Sequence, residues 1–347
     1  MTGQRHCLLF CLLIACLAAC GCRASPQRNP AEAAGQSSSG ASTEPSAAAV
    51  SPAQIAAEQG ADAAPPPEST GGFDGRRAYT HVARLVAIGP RSPGTEGIRK
   101  AREYIRSQLQ TFGCKVETDN FHASTIIGSV AMENILVNIT GESPNVILLT
   151  THYDTKRMEN FVGANDGGSS TGLMLELARL LCSRKNALTV WIAFFDGEED
   201  RDPLFNRAGL HGSRHLVEEL ARTGELGRVR AAVVLDMIGD RDLDIRRDAG
   251  SASWLNELLW NTARRLGYGR HFLDETAAIE DDQVPLLQAG IAAALLIDYT
   301  YGPTAQGRGF WHTPQDTPDK LSPRSLQVVG DVLLGALPEI EAALRRR

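Results

Sequence analysis

The sequence predicts an α/β domain whose sheet is mainly parallel and covered by helices on both faces. Three observations predict it. Apolar runs rich in β-branched and aromatic residues recur at 146–151, 189–195, 231–235 and 291–297, the form of strands buried on both faces. Stretches of helical spacing separate them, and alternation of this kind implies parallel strands joined by crossovers. An acid or a histidine also stands at or just past the end of each run: His152 and Asp154, Glu198 and Glu199, Asp236, and His312 in a loop after the fourth. In open α/β sheets the carboxyl ends of the strands are where ligands bind.

The chain has 347 residues and a formal net charge of −6. It has no basic stripe, which argues against a nucleic-acid partner. Residues 1–19 read as a signal peptide of lipoprotein type. Arg5 precedes an apolar core from Cys7 to Ala19, too short for a full membrane span. Leu17-Ala18-Ala19-Cys20 resembles the bacterial lipobox, with Cys20 as the lipidated residue. Cys22 is the less favoured site, and an ordinary signal peptide is the alternative. Residues 20–72 are rich in Ala, Ser, Pro, Gly and Gln and predict a disordered tether. The expected location is outside the cytoplasm, anchored to a membrane as a periplasmic or cell-surface lipoprotein. The folded domain is expected over 73–347.

Within that domain, helices are expected over 78–88 and 95–112, the second capped by Thr95 and stopped by Gly113. Lys115 to Phe121 alternates like an exposed strand. Strands follow at 133–139 and 146–151, with Gly141 and Pro144 between them as a hairpin signal. Further helices are expected at 171–182, 212–222, 251–266 and 282–288, and from Ser322 or Pro323 to about Leu344. Five of the seven cysteines lie at or before position 22. The other two, Cys114 and Cys182, read as buried thiols, and their spacing leaves a disulfide undecided.

The central run Thr189–Phe195 ends in Asp196-Gly197-Glu198-Glu199-Asp200. Four carboxylates directly after a buried strand are costly unless something cationic neutralises them. Adjacent Glu198 and Glu199 can point apart, one toward a metal and one toward protons. Asp166 precedes a helix N-terminus, which also favours a carboxylate. Carboxylate oxygens with imidazole nitrogens suit zinc.

HYD at 152–154, GANDGGSSTGLMLELARLL from Gly163, DGEE from Asp196, GSRH from Gly212, LDMIG from Leu235 and WHTPQDT from Trp311 together resemble metallopeptidase family 28. That family holds the bacterial zinc aminopeptidases and the glutaminyl-peptide cyclotransferases. The resemblance covers roughly 75–345. It implies a single α/β domain with a central mixed sheet. FFDGEE, the Asp281-Asp282 pair before a short helix, and Trp311-His312 lean toward the cyclotransferases, whereas GANDGG looks more like an aminopeptidase. The animal enzymes' tryptophan in the insert after DGEE is not matched; Leu204 and Phe205 lie nearby. Their cysteine pair is replaced by Thr151 and Thr171.

The resemblance implies one zinc on Asp166, Glu199 and His312. It implies Glu198 as general acid/base, Asp236 and Asp281 as an acidic hydrogen-bond network, and Trp311 as a substrate contact. The substrate would be the N-terminus of a peptide or protein, with N-terminal Gln cyclised to pyroglutamate. The alternative is a zinc aminopeptidase, in which His152, Asp236 and a bridging Asp166 hold a second zinc. An inactive cell-surface binding domain is a third reading, and its mark would be lost ligands; none is lost.

Overall fold

The computed structural model describes residues 64–200, 209–303 and 309–346. The expected signal peptide, Cys20, the tether up to residue 63, and Leu204 and Phe205 in the insert all lie outside the described residues. Upstream of Phe73, Ala64 is already buried, and its carbonyl accepts from Arg76.

The strands are β1 (Val116–Thr125), β2 (Gly128–Ile139), β3 (Ser143–His152), β4 (Leu188–Phe195), β5 (Val229–Asp236), β6 (Ile245–Asp248), β7 (Phe272–Ala277) and β8 (Ala293–Ile297). Six of them form one mixed sheet in the order β1-β2-β4-β3-β5-β8. β3, β4, β5 and β8 run parallel; β1 and β2 are antiparallel additions at one side. β6 and β7 make a separate parallel pair, which the sequence did not announce. The four parallel strands are buried almost throughout, as their continuous apolar character requires.

The hairpin expected between β2 and β3 does not form. β4 lies between them and pairs with both. Gly141 serves a crossing rather than a turn: a Cβ there would sit 2.3 Å from the Leu188 backbone at the start of β4. The hairpin is instead β1–β2, closed through Ile126 and Ile127, with Gly128 at φ 104°.

The helices are α1 (Gly75–Ile88), α2 (Glu96–Thr111), α3 (Gly168–Cys182), α4 (His211–Thr223), α5 (Ser253–Arg265), α6 (Gln283–Gln288) and α7 (Pro323–Arg345). Thr95 caps α2 by accepting from Ile98 N, as its sequence predicts. That helix buries Ile98, Ala101, Ile105 and Leu109, a single stripe of three- and four-residue steps. α1 packs on α3 and α7, and α5 joins α7. α4 and α6 pack together, with α4 against β2 and β4. α3 is buried along most of its length. It approaches α1 closely because Gly172 has no side chain; a Cβ would meet Ala78 O at 2.7 Å.

Cys114 and Cys182 are not free thiols. They form a disulfide with a Cα–Cα separation of 5.4 Å, tying the turn after α2 to the end of α3. The bridge spans a sequence separation of 68, and a loop of that length stabilises by about 4 kcal/mol in the chain-entropy account. Replacing both cysteines with Ala is therefore expected to lower Tm by roughly 10 °C in calorimetry of the oxidised protein. A midpoint that moves neither on replacement nor on reduction would rule the bond out.

A candidate metal and proton-transfer site

The register of the parallel strands brings the sequence-predicted residues together. His152 pairs with Phe195, so Glu198 and Glu199 begin three residues beyond the same level. Asp236 pairs with Ile297, and the chain from β8 returns as the loop that carries His312. Two groups of donors result, each with its ligand atoms within 4.8 Å of one another: Asp166, Glu199 and His312, and His152, Asp166 and Asp236. In the first, His312 Nε2 lies 2.7 Å from Glu199 Oε1 and 3.2 Å from Asp166 Oδ2. In the second, His152 Nε2 lies 3.0 Å from Asp236 Oδ1 and 3.4 Å from Asp166 Oδ1. Asp166 stands between the two imidazoles.

These residues fit a metal ion. Both Asp166 oxygens and Glu199 Oε2 are buried with no hydrogen-bond partner among the described residues. Buried carboxylate oxygens left without donors cost several kcal/mol. Two carboxylates and one imidazole are a donor set suited to zinc, and three protein ligands leave a position open for substrate.

The loops that present the ligands are tightly fixed. Asp154 accepts from Glu198 N at 3.1 Å and Glu199 N at 3.2 Å, pinning the turn after β4. Asp316 accepts from Asn165 N, Asp166 N and the Tyr301 hydroxyl. Asn165 Oδ1 in turn accepts from Gly239 N, and Ser169 Oγ from Ile238 N, joining the start of α3 to the exit of β5. Gly167, at φ 74°, passes so close to His152 that a Cβ would lie 2.9 Å from its ring. Thr171 donates to His152 O at 2.9 Å and Thr151 to Ser170 Oγ at 2.7 Å. The two threonines thus hold β3 to α3 by hydrogen bonds. Met237 and His312 adopt left-handed φ of 47° and 52°, a conformation that costs on the order of 1–3 kcal/mol and tends to gather at functional sites.

Arg91 was not foreseen, because nothing distinguishes it in the turn that carries it. Its guanidinium is fully buried and donates to Tyr153 O, Val162 O and Gly163 O. Burial brings its pKa down to about 10, against the pull of Asp316, Asp154 and Asp166. It fixes the loop leading to Asp166 and sets a positive charge behind the acids. Lys156 adds a second, with Nζ 3.6 Å from Glu199 Oε2. The outer acids of the DGEED run look away: Asp196 pairs with Arg102, and Asp200 lies 3.4 Å from His211.

A second set of carboxyls surrounds Glu198. Burial pushes Glu198 well above the usual carboxylate range, and the charges of Glu199, Asp281 and Asp282 add to the shift. Asp281 is raised by burial, Asp236 and Asp282. Asp236 is raised by burial against the opposing pull of His152. Asp282, raised by burial to about 7, accepts from Ser213 Oγ on α4; the sequence marked its DD pair but gave this second acid no role. Asp166 behaves oppositely. Burial disfavours its charge, yet the two imidazoles hold it well below the usual range. His312 is raised to about 9: burial lowers it, but Asp166 and Glu199 outweigh that. Groups shifted in opposite directions within one pocket are the pattern of an acid/base site.

A cavity of about 260 Å³ opens over these groups. Trp311 lines it, stacked on His312 with ring centroids 4.0 Å apart. Phe161 meets the same imidazole edge-on, with centroids 6.0 Å apart. The aromatic contacts fix the His312 ring where Asp166 and Glu199 converge.

Residues 134–337 match the model of Peptidase family M28, and the chain belongs to that family. A solved glutaminyl cyclase from an Acidobacteriales bacterium is 36% identical, with a TM-score of 0.74, over 78% of this chain and 96% of that one. The glutaminyl-peptide cyclotransferase of Drosophila melanogaster is 27% identical over 255 residues, 65% of this chain and 70% of that protein. Aminopeptidase YwaD of Bacillus subtilis is 29% identical over 275 residues, 75% of this chain and 56% of that protein. The resemblance to the cyclotransferase branch, expected from the motifs, is borne out, with an aminopeptidase also among the similar chains.

Proposed function

We propose that this chain cyclises the N-terminal Gln of peptides or proteins to pyroglutamate and releases ammonia. The observation that carries this reading is the likeness to a bacterial glutaminyl cyclase over nearly that enzyme's whole length, with a carboxyl of raised pKa, Glu198, beside the metal-type triad. Asp166, Glu199 and His312 would hold one zinc. Bound zinc supplies Lewis-acid polarisation of the side-chain amide carbonyl.

The remaining chemistry belongs to the side chains. Trp311 and the cavity wall position the Gln side chain. Glu198 as carboxylate takes a proton from the α-amine as that nitrogen closes on the side-chain amide carbon. It then gives the proton to the departing amide nitrogen, so the old C–N bond breaks and ammonia leaves. General acid/base transfer works best with a pKa near the working pH, and burial moves Glu198 upward from the usual carboxylate range. Asp281 and Asp236 order the proton around it.

The His152–Asp166–Asp236 cluster favours a second reading, an aminopeptidase with two metals in which Glu198 activates water. Mass spectrometry of a Gln-initiated peptide separates the two. Cyclisation removes one ammonia and leaves the peptide bonds whole; release of the first residue as a free amino acid would overturn the proposal. We also propose that Cys20 is the lipidated mature N-terminus of a membrane-anchored protein, on the motif Leu17-Ala18-Ala19-Cys20. The mass of the N-terminal peptide tests this, and an unmodified terminus downstream of Cys20 would dismiss it.

A further inference from the structure

A second cavity, of about 320 Å³, opens between α4 and the sheet. It shares no lining residue with the first, and its volume suits a small organic molecule. Leu216 and Leu220 line it from α4, and Asn138, Leu148 and Trp191 line it from the sheet. The strand register sets those three in one row. Asn138 pairs with Trp191 across β2 and β4, and Leu148 pairs with Trp191 across β3 and β4, so their side chains share one face of the sheet. Arg228 steadies the indole: its guanidinium lies 5.5 Å from the ring centroid and donates to Pro144 O at 3.2 Å.

Two polar atoms of this lining are unsatisfied. Trp191 Nε1 and Asn138 Oδ1 are buried with no hydrogen-bond partner among the described residues. A buried donor and a buried acceptor left unpaired are costly, and such groups call for a partner. The charges of the lining, by contrast, are already matched. Glu117 lies 2.7 Å from Lys115, Asp119 lies 2.9 Å from His215, and Glu219 lies 2.5 Å from Arg222. We infer that this cavity binds a small neutral ligand with an apolar body and one amide group. The amide carbonyl accepts from the Trp191 indole N–H, and the amide N–H donates to Asn138 Oδ1. The apolar body packs on Leu148, Leu216 and Leu220. No residue of either metal-type group or of the proton network takes part, so the site stands or falls apart from the catalytic reading.

The test titrates the ¹⁵N-labelled protein with benzamide and follows the indole N–H signals of its four tryptophans by NMR. The spectrum of Trp191→Phe identifies the Trp191 signal. Toluene and benzoate serve as comparison probes of nearly the same shape: the first has no polar group, and the second has a charge and no N–H. Benzamide is expected to move the Trp191 signal downfield and saturably, with a Kd on the order of 1 mM, as its few heavy atoms allow. Its affinity should exceed that of toluene and of benzoate by about tenfold or more. Asn138→Leu, which keeps the side-chain size, should weaken benzamide by about tenfold and leave toluene no weaker. A Trp191 signal that stays still, or that answers the three probes alike, would overturn the site. Unchanged benzamide affinity in Asn138→Leu would overturn it too. The comparison of probes is made on the wild-type protein, so it decides the matter whether or not that variant folds.

Discussion

Replacing Glu198 with Gln is expected to slow ammonia release from a Gln-peptide by roughly 10²–10⁴-fold, the usual contribution of a positioned acid/base group. The substitution keeps size and shape but cannot carry the proton. Glu198 belongs to neither of the two ligand groups, so metal content by plasma emission should match wild type. Its backbone nitrogen is held by Asp154, a contact that a side-chain change does not touch, so the turn after β4 should stay in place. Asp281→Ala should show a smaller loss, because it acts on Glu198 through the buried carboxyl network. A Glu198→Gln protein retaining more than about a tenth of the wild-type rate would remove Glu198 from the proposed mechanism.

Replacing His312 with Ala is expected to abolish metal retention through dialysis, and cyclisation with it. The imidazole supplies the nitrogen of the Asp166–Glu199–His312 group, and two carboxylates alone form a poor zinc site. Glu199→Ala should behave alike. The fold should survive both changes, since neither side chain belongs to the apolar core, and circular dichroism checks this. Full zinc occupancy in both variants would refute the triad. Retention of one ion in His312→Ala that is lost on adding His152→Ala would place metal on the second group as well.

The elements that the sequence made legible are those governed by local rules. The four buried parallel strands announce themselves as unbroken apolar runs, and α2 by its cap and stripe. The candidate ligands were legible because each follows such a strand, so one inference about strand ends located His152, Glu199, Asp236 and His312 together. What stayed hidden depends on contacts between distant segments. Gly141 carries the same local signal whether the chain turns back or passes across the start of β4, and only the sheet order decides. Cys114 and Cys182 become partners only when α2 and α3 lie side by side. Arg91 is one arginine among many until Tyr153, Val162 and Gly163 turn three carbonyls toward it.

The position of His312 also bears on the order in which the molecule is made. Asp166 and Glu199 lie near the middle of the chain, but their nitrogen partner arrives after β8, the last strand to join the sheet. Closing so long a loop carries an entropic cost that must be met before the contact forms. A nascent chain therefore holds the His152–Asp166–Asp236 group before the Asp166–Glu199–His312 group can close. Completion of the Asp166–Glu199–His312 group becomes a late event, coupled to docking of the C-terminal segment, and a metal held there would favour the finished fold by mass action.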